Sequence, residues 1–162
     1  MRRSFRWLWP NAILPPMTEL ERLIAQLAQR GRDVERVEDG AVLAGHSAQL
    51  ALFAEGDEAG EGVMVRAHLD LDLYVDEEAL ADVMLGVNLL NQSLDFGSLT
   101  LDPLESDEDE RLMFSVLGRT TLLLSDLGEN EIARLERHLQ RFETEVSNAV
   151  ERSLSGSPHM EA

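Results

Sequence analysis

The chain has 162 residues, no cysteine, and 14 basic against 31 acidic side chains, which gives a net charge of −17 at pH 7. This length suits one domain with a single hydrophobic core, and the absence of cysteine excludes disulfides, thiolate metal sites and thiol nucleophiles. Because so large a negative charge repels phosphate backbones, we expect the protein not to bind nucleic acid.

The first 16 residues differ in composition from the rest of the chain. They contain three arginines, both tryptophans and no acid, so the remaining residues hold 11 basic and 31 acidic side chains, a net charge of −20. Arg6 and Pro10 interrupt the apolar run and no small-residue cleavage site follows, which argues against a signal peptide. We interpret residues 1–16 as a disordered arm or as sequence upstream of a natural start at Met17. Attachment to a membrane surface through the tryptophans and arginines is the alternative.

A first helix of about three turns is predicted next. Thr18 is a suitable N-cap and Gly31 a suitable stop. Between them, apolar residues recur at helical spacing: Leu20, Leu23, Ile24 and Leu27. This spacing predicts an amphipathic helix with one apolar side.

Three β-strands are predicted after this helix. The first begins at Val34 and ends in a tight Asp-Gly turn. The runs Ala41–Leu43 and Gln49–Phe53 are counted together, as one strand bent at Gly45.

The third strand, Val63–Val75, alternates strictly between its two sides. One side carries Val63, Val65, Ala67, Leu69, Leu71 and Leu73, and the other carries Met64, Arg66, His68, Asp70, Asp72 and Tyr74. This pattern predicts an antiparallel strand with one buried and one solvated face.

A second helix and two further β runs follow. The helix starts at the acids Asp76-Glu77-Glu78, ends at Phe96-Gly97, and has an apolar stripe of Leu80, Val83, Met84, Val87, Leu90 and Leu94. The strands are Leu99–Leu101 and Leu112–Leu117, joined by the acidic loop Asp102–Glu110; Thr120–Leu124 either extends the sheet or leads into the last helix.

The last helix is predicted from about Glu129 to Leu154. Positions along one seam step by three and four residues: the apolar Ile132, Leu135, Leu139, Phe142 and Val146, then Ala149 and Ser153. Such a seam either packs on the sheet of its own domain or contacts a partner helix, and these first five residues are the candidate partner-binding residues. We expect His138, on the polar side, to face solvent.

The order is therefore α-βββ-α-ββ-α, which is typical of an α+β fold with an antiparallel sheet packed by helices. We expect a single domain over residues 17–154 and a disordered tail over residues 155–162. No stretch after the arm approaches the ~18 apolar residues of a membrane span.

Candidate chemistry is sparse. His68, Asp70 and Asp72 share one strand face and are weak candidates for a divalent-metal site, which would make the protein a metal-dependent enzyme or sensor. Gly45-His46-Ser47 places a histidine beside a serine, but neighbours in a strand point to opposite faces. Without lysine there is no P-loop or Schiff-base mechanism, and the nucleophile-elbow pattern is absent. We expect no enzyme activity and no cofactor.

The C-terminal half resembles a known family. Val87-Asn88-Leu89-Leu90, Leu94–Leu99, Phe114–Arg119 and the long helix Glu129–Val150 are similar to the YjfI family, a bacterial domain of unknown function. The layout also resembles YbjN-like proteins and class I type III secretion chaperones. These motifs are apolar and turn residues that define a fold, with no catalytic signature among them.

This resemblance implies a cytoplasmic, non-enzymatic adaptor or chaperone-like module that binds other proteins. YjfI-like proteins are associated with phage-shock-protein-A-like coiled coils, which implies such a partner in a membrane-stress response. The related chaperones are homodimers, which implies a possible homodimer here. Likeness at the level of a fold supports a class of function only.

Overall fold

The computed structural model describes residues 17–45, 49–104 and 112–156. The described residues form three helices, α1 (Glu19–Gln29), α2 (Leu80–Asn91) and α3 (Glu129–Gly156), and six strands, β1 (Val34–Val37), β2 (Gly40–Leu43), β3 (Gln49–Gly56), β4 (Val63–Asp76), β5 (Ser98–Leu104) and β6 (Met113–Leu124). The predicted arm, the His46-Ser47 pair, most of the acidic loop and the last six residues lie outside the described residues.

All six strands form one antiparallel sheet in the order β1-β2-β3-β4-β6-β5. The predicted α+β class is confirmed. The first group, however, has four strands instead of three, because β2 and β3 form a hairpin with Ala41 opposite Leu52. Gly45 has a φ of 90°, a left-handed conformation that breaks the strand after β2, so the two runs are not one bent strand.

Helix α1 has the predicted cap and stop. The Thr18 Oγ1 atom accepts a hydrogen bond from the Glu21 N–H at 3.2 Å, and the Glu21 carboxylate accepts one from the Thr18 N–H at 3.1 Å. This reciprocal capping box satisfies two N–H groups that helix geometry leaves free. The helix buries Leu20, Leu23 and Leu27.

Strand β4 keeps the predicted alternation up to a bulge. Val63, Val65, Ala67 and Leu69 are buried, and Leu71 and Leu73 are half-buried against the same core. The pairing with β6 then shifts between Asp70 and Tyr74, and Asp72 has a φ of 55°. An aspartate tolerates this left-handed conformation better than most side chains.

Strand β6 continues through Gly118 to Leu124, so the Thr120–Leu124 run extends the sheet. The missing side chain of Gly118 makes room for α3, since a Cβ there would lie 3.1 Å from the Phe142 ring. A Cβ on Gly97 would come within 2.6 Å of the same ring. Phe142 thus packs directly onto two glycine backbones at the centre of the domain.

Strand β5 also runs further than predicted, to Leu104, so the start of the acidic loop is part of the sheet. Pro103 is tolerated because β5 is an edge strand. Among the described residues, no helix is both long enough and apolar enough to cross a bilayer.

Candidate protein-binding surface

The seam on α3 is part of the domain core. Ile132, Leu135, Leu139, Phe142 and Val146 are at most 2% exposed and belong to one cluster with the inner face of the sheet. Of the two interpretations of the seam, packing within the domain is therefore the one that the structure shows. This packing gives no support to the partner contact predicted at these five residues, because a partner could reach them only by opening the core.

The three metal candidates on β4 are not brought together. The His68 ring packs 4.9 Å from the Phe53 ring, and burial, followed by the charge of Arg119, holds the pKa of His68 below its usual value. Asp70 Oδ1 instead accepts the N–H of Asp72 at 2.9 Å. Within the described ranges no three His, Cys, Asp or Glu side chains are placed to hold a metal ion. The geometry gives the metal prediction no support.

His138 is also placed differently from the prediction. Its Nε2 atom lies 2.7 Å from Oγ1 of the buried Thr120, and that hydroxyl donates to the Phe96 carbonyl at 2.6 Å. The hydroxyl proton is thereby used, so His138 donates its Nε2–H to Thr120. Burial, with the charges of Arg134 and Arg141, lowers the pKa of His138. The ring is a half-buried link between α3 and β6 rather than a solvated side chain.

A groove of about 660 Å³ lies between the end of α1, the end of β2 and α3. It contains Arg30, Arg32 and Glu136, and the Glu136 carboxylate binds both arginines, with 2.7 Å to the Arg32 Nε. Glu136 is only 16% exposed, and these hydrogen bonds hold its pKa below the usual value against the opposing effect of burial. The charges in this groove join α1 to α3.

Helix α2 presents a large apolar surface to solvent. Met84, Leu85 and Leu89 are 54%, 61% and 57% exposed, and no residue of the helix is fully buried. On the opposite side, Val83, Val87, Leu90 and, beyond the helix, Leu94 are half-buried against the core. We call Met84, Leu85 and Leu89 the α2 face. Met84, which the sequence pattern places in the apolar stripe of this helix, is thus exposed to solvent.

The signal for this surface was present in the sequence. Eight of the 12 residues of α2 are apolar and Asp82 is its single charge. A surface helix normally carries one apolar stripe, and a helix that is apolar on more than one side needs a second contact. Only one apolar stripe was predicted for this helix, and its outer apolar side was not.

Polar anchors hold α2 and the loop after it in place. The Asn91 side chain donates to the Leu99 carbonyl at 3.0 Å and accepts the Leu99 N–H at 2.7 Å. Glu145 on α3 accepts the N–H groups of Asp95 and Phe96 at 2.5 and 2.8 Å. Asn91 also covers part of the free edge of β5, where an open edge would invite another strand. The α2 face is thus presented by a helix fixed at its C-terminal end.

Negative charges lie at the N-terminal end of the α2 face. Glu77, Glu78 and Asp82 are exposed, and Asp82 precedes Leu85 by three residues, one helical turn. Acids at this position also interact favourably with the helix dipole. The surface therefore has an apolar centre and an acidic end, a combination that suits a partner with apolar and basic side chains.

Comparisons with known proteins place the fold. No family model matches the chain, and no curated protein matches it. The chain is similar to the solved structure of YbjN from E. coli, a protein proposed to be a transcription regulator. The TM-score is 0.54 and the sequence identity 13%, and the match covers 87% of this chain and 93% of YbjN. At this identity the likeness shows the fold alone. It confirms the layout-level resemblance to YbjN-like proteins: the chain has a YbjN-like fold.

Proposed function

We propose that this protein is a non-enzymatic adaptor or chaperone-like module that binds a helix of another protein on its α2 face. The observation that carries the proposal is the exposure of three large apolar side chains, each more than half exposed, on one side of a helix anchored to the fold. Contiguous apolar patches of this kind often mark interaction sites. Apolar side chains on one side of a helix can pack between the side chains of a second helix.

The charge of the domain points to the chemistry of the partner. With a net charge of −20 outside the first 16 residues and acids at one end of the α2 face, the surface favours an amphipathic helix whose apolar stripe is flanked by Arg or Lys. The resemblance to YjfI-like proteins supports a phage-shock-protein-A-like coiled coil as that partner, and a cytoplasmic location. The likeness of fold to a protein proposed to regulate transcription fits a regulatory adaptor.

A defined peptide tests this proposal. The probe is a 21-residue helical peptide with a leucine stripe flanked by arginines, titrated into the full chain by calorimetry. The control peptide keeps the stripe and replaces arginine by glutamate. We expect the basic peptide to bind and the acidic one to bind at least tenfold more weakly, with affinity falling as salt screens the charges.

Variants of the protein locate the contact. Leu85→Ser with Leu89→Ser removes two leucines of the α2 face, while Leu123→Ser changes a 42% exposed leucine on β6. Binding should be lost in the double variant and retained in the β6 variant. Equal binding by all three proteins would refute the proposed surface. Light scattering of the same samples checks the alternative that a second copy covers the α2 face, which would show as a dimer that the double variant breaks.

A further inference from the structure

The 16 residues that precede Met17 have the composition expected of a ligand for the α2 face. They combine Arg2, Arg3 and Arg6 with large apolar side chains and contain no acid. The apolar residues are Phe5, Trp7, Leu8, Trp9, Ile13 and Leu14. The arginines lie at the start of the segment, and both tryptophans follow Arg6. This order matches a surface that is acidic at one end and apolar at its centre.

The segment is also long enough to reach this surface from its point of attachment. It joins α1, whose Glu21 is paired with Arg36 of the edge strand β1 at 3.0 Å. The helix α2 is bound through Asn91 to β5, the opposite edge of the six-stranded sheet. Five strand spacings of about 4.8 Å separate the two edges by roughly 24 Å. Trp9 and Trp7 precede Met17 by eight and ten residues, and extended segments of these lengths span up to about 26 and 33 Å at ~3.3 Å per residue.

Charge favours binding within the chain. The segment carries three positive charges and the rest of the chain a net charge of −20, so the two attract each other. Tethering raises the effective concentration of the segment at the α2 face to the millimolar range that short linkers give, so even weak contacts are populated. A second copy, by contrast, would bring another acidic domain of net charge −20 close to the first.

We propose that residues 1–16 bind the α2 face of their own chain, with the aromatic residues on Leu85 and Leu89 and the arginines beside Glu77, Glu78 and Asp82. The segment then competes with a partner helix for the same surface and is autoinhibitory. This regulatory role rests on the proposed function, whereas the docking itself does not. A partner that binds more tightly, or high salt, releases the segment.

Tryptophan fluorescence tests the docking without any partner. The two tryptophans of the chain, Trp7 and Trp9, both lie in this segment, so their emission reports on the segment alone. We expect the emission of the full chain to be shifted to shorter wavelength than that of a peptide of residues 1–16. The shift should be independent of protein concentration and lost in Leu85→Ser with Leu89→Ser. It should be retained in the control Leu123→Ser.

A second variant changes only residues 1–16 and keeps the sequence of the domain that follows them. Changing the three arginines of the segment to glutamate should abolish the shift, with unchanged circular dichroism. If the segment is docked nine-tenths of the time, releasing it tightens binding of the basic helical peptide about tenfold.

Three results would overturn the docking. Emission of the full chain equal to that of the free peptide would show no contact. A shift that grows with protein concentration would show binding to another copy, and a shift seen only with anionic lipid vesicles would show a membrane anchor. If the segment docks but the basic peptide binds neither the wild type nor the arginine variant, the proposed function fails and the docking stands.

Discussion

Phe142→Ala tests most sharply whether the α3 seam is a core or a partner surface. Phe142 is 0% exposed, and its ring lies on the backbone of Gly97 and Gly118. Replacing a buried phenylalanine by alanine costs about 3–5 kcal/mol, and the cost is highest where the surroundings cannot close the cavity. Two glycines under the ring have no side chains that could move into the space. We therefore expect a loss near the upper end, about 4–5 kcal/mol.

Urea unfolding followed by circular dichroism measures this loss. With a denaturant slope of about 2 kcal/mol/M, the midpoint should fall by roughly 2 M. Typical domains have ~5–15 kcal/mol of stability, so the variant should be near the limit of folding. Leu85→Ala, at a residue 61% exposed, is the matched control and should shift the midpoint little. A loss below about 1 kcal/mol for Phe142→Ala would refute the assignment of the seam to the core.

Three further predictions concern polar contacts and glycines. The pKa values of His68 and His138 are lowered in the folded protein, so as the pH falls the unfolded chain binds protons before the folded one does. The free energy of unfolding should therefore be full above pH ~6.5 and decrease below it. His138→Gln, which keeps an N–H donor, should reduce the difference between the urea midpoints measured at about pH 7.5 and about pH 5.5. Asn91→Ala removes two hydrogen bonds to β5 and should cost about 1–3 kcal/mol, whereas the exposed Asn88→Ala should cost little; equal midpoints would contradict the anchor. Gly97→Ala should destabilise the fold because the new Cβ would lie 2.6 Å from a backbone oxygen. Gly86→Ala, which has open space around it, should instead stabilise α2 by about 0.5–1 kcal/mol in thermal melts. The opposite order of stabilities would contradict the packing described around Gly97.

Local patterns predicted much of the fold. The Thr18 cap of α1 and the alternation of β4 depend on residues close in sequence, and both are present in the structure. The strand count in the first group was wrong because Ala41–Leu43 and Gln49–Phe53 are too short for periodicity to separate one strand from two. The two runs are separate strands of a hairpin because β2 pairs with β3 in the structure.

The candidate site was harder to predict from sequence. A stripe with three- and four-residue steps looks the same whether it faces a sheet or a partner, so the pattern of α3 left both interpretations open. The anchors of α2 could not be foreseen, since Asn91 and Glu145 bind backbone groups 8 and about 50 residues away. His138 was assigned to solvent from its polar helix side, yet tertiary packing gave it Thr120 as a partner.

Hydrogen exchange of the variant with glutamate in place of the three arginines of residues 1–16, with and without the basic helical peptide at saturation, tests most directly whether the α2 face is the binding surface. Contact that stabilises a helix slows exchange of its amides. Amide exchange over Leu80–Asn91 should be slower when the peptide is bound, with exchange over β4 and α3 unchanged. Protection confined to the outer strands, or none over α2 despite binding, would contradict it.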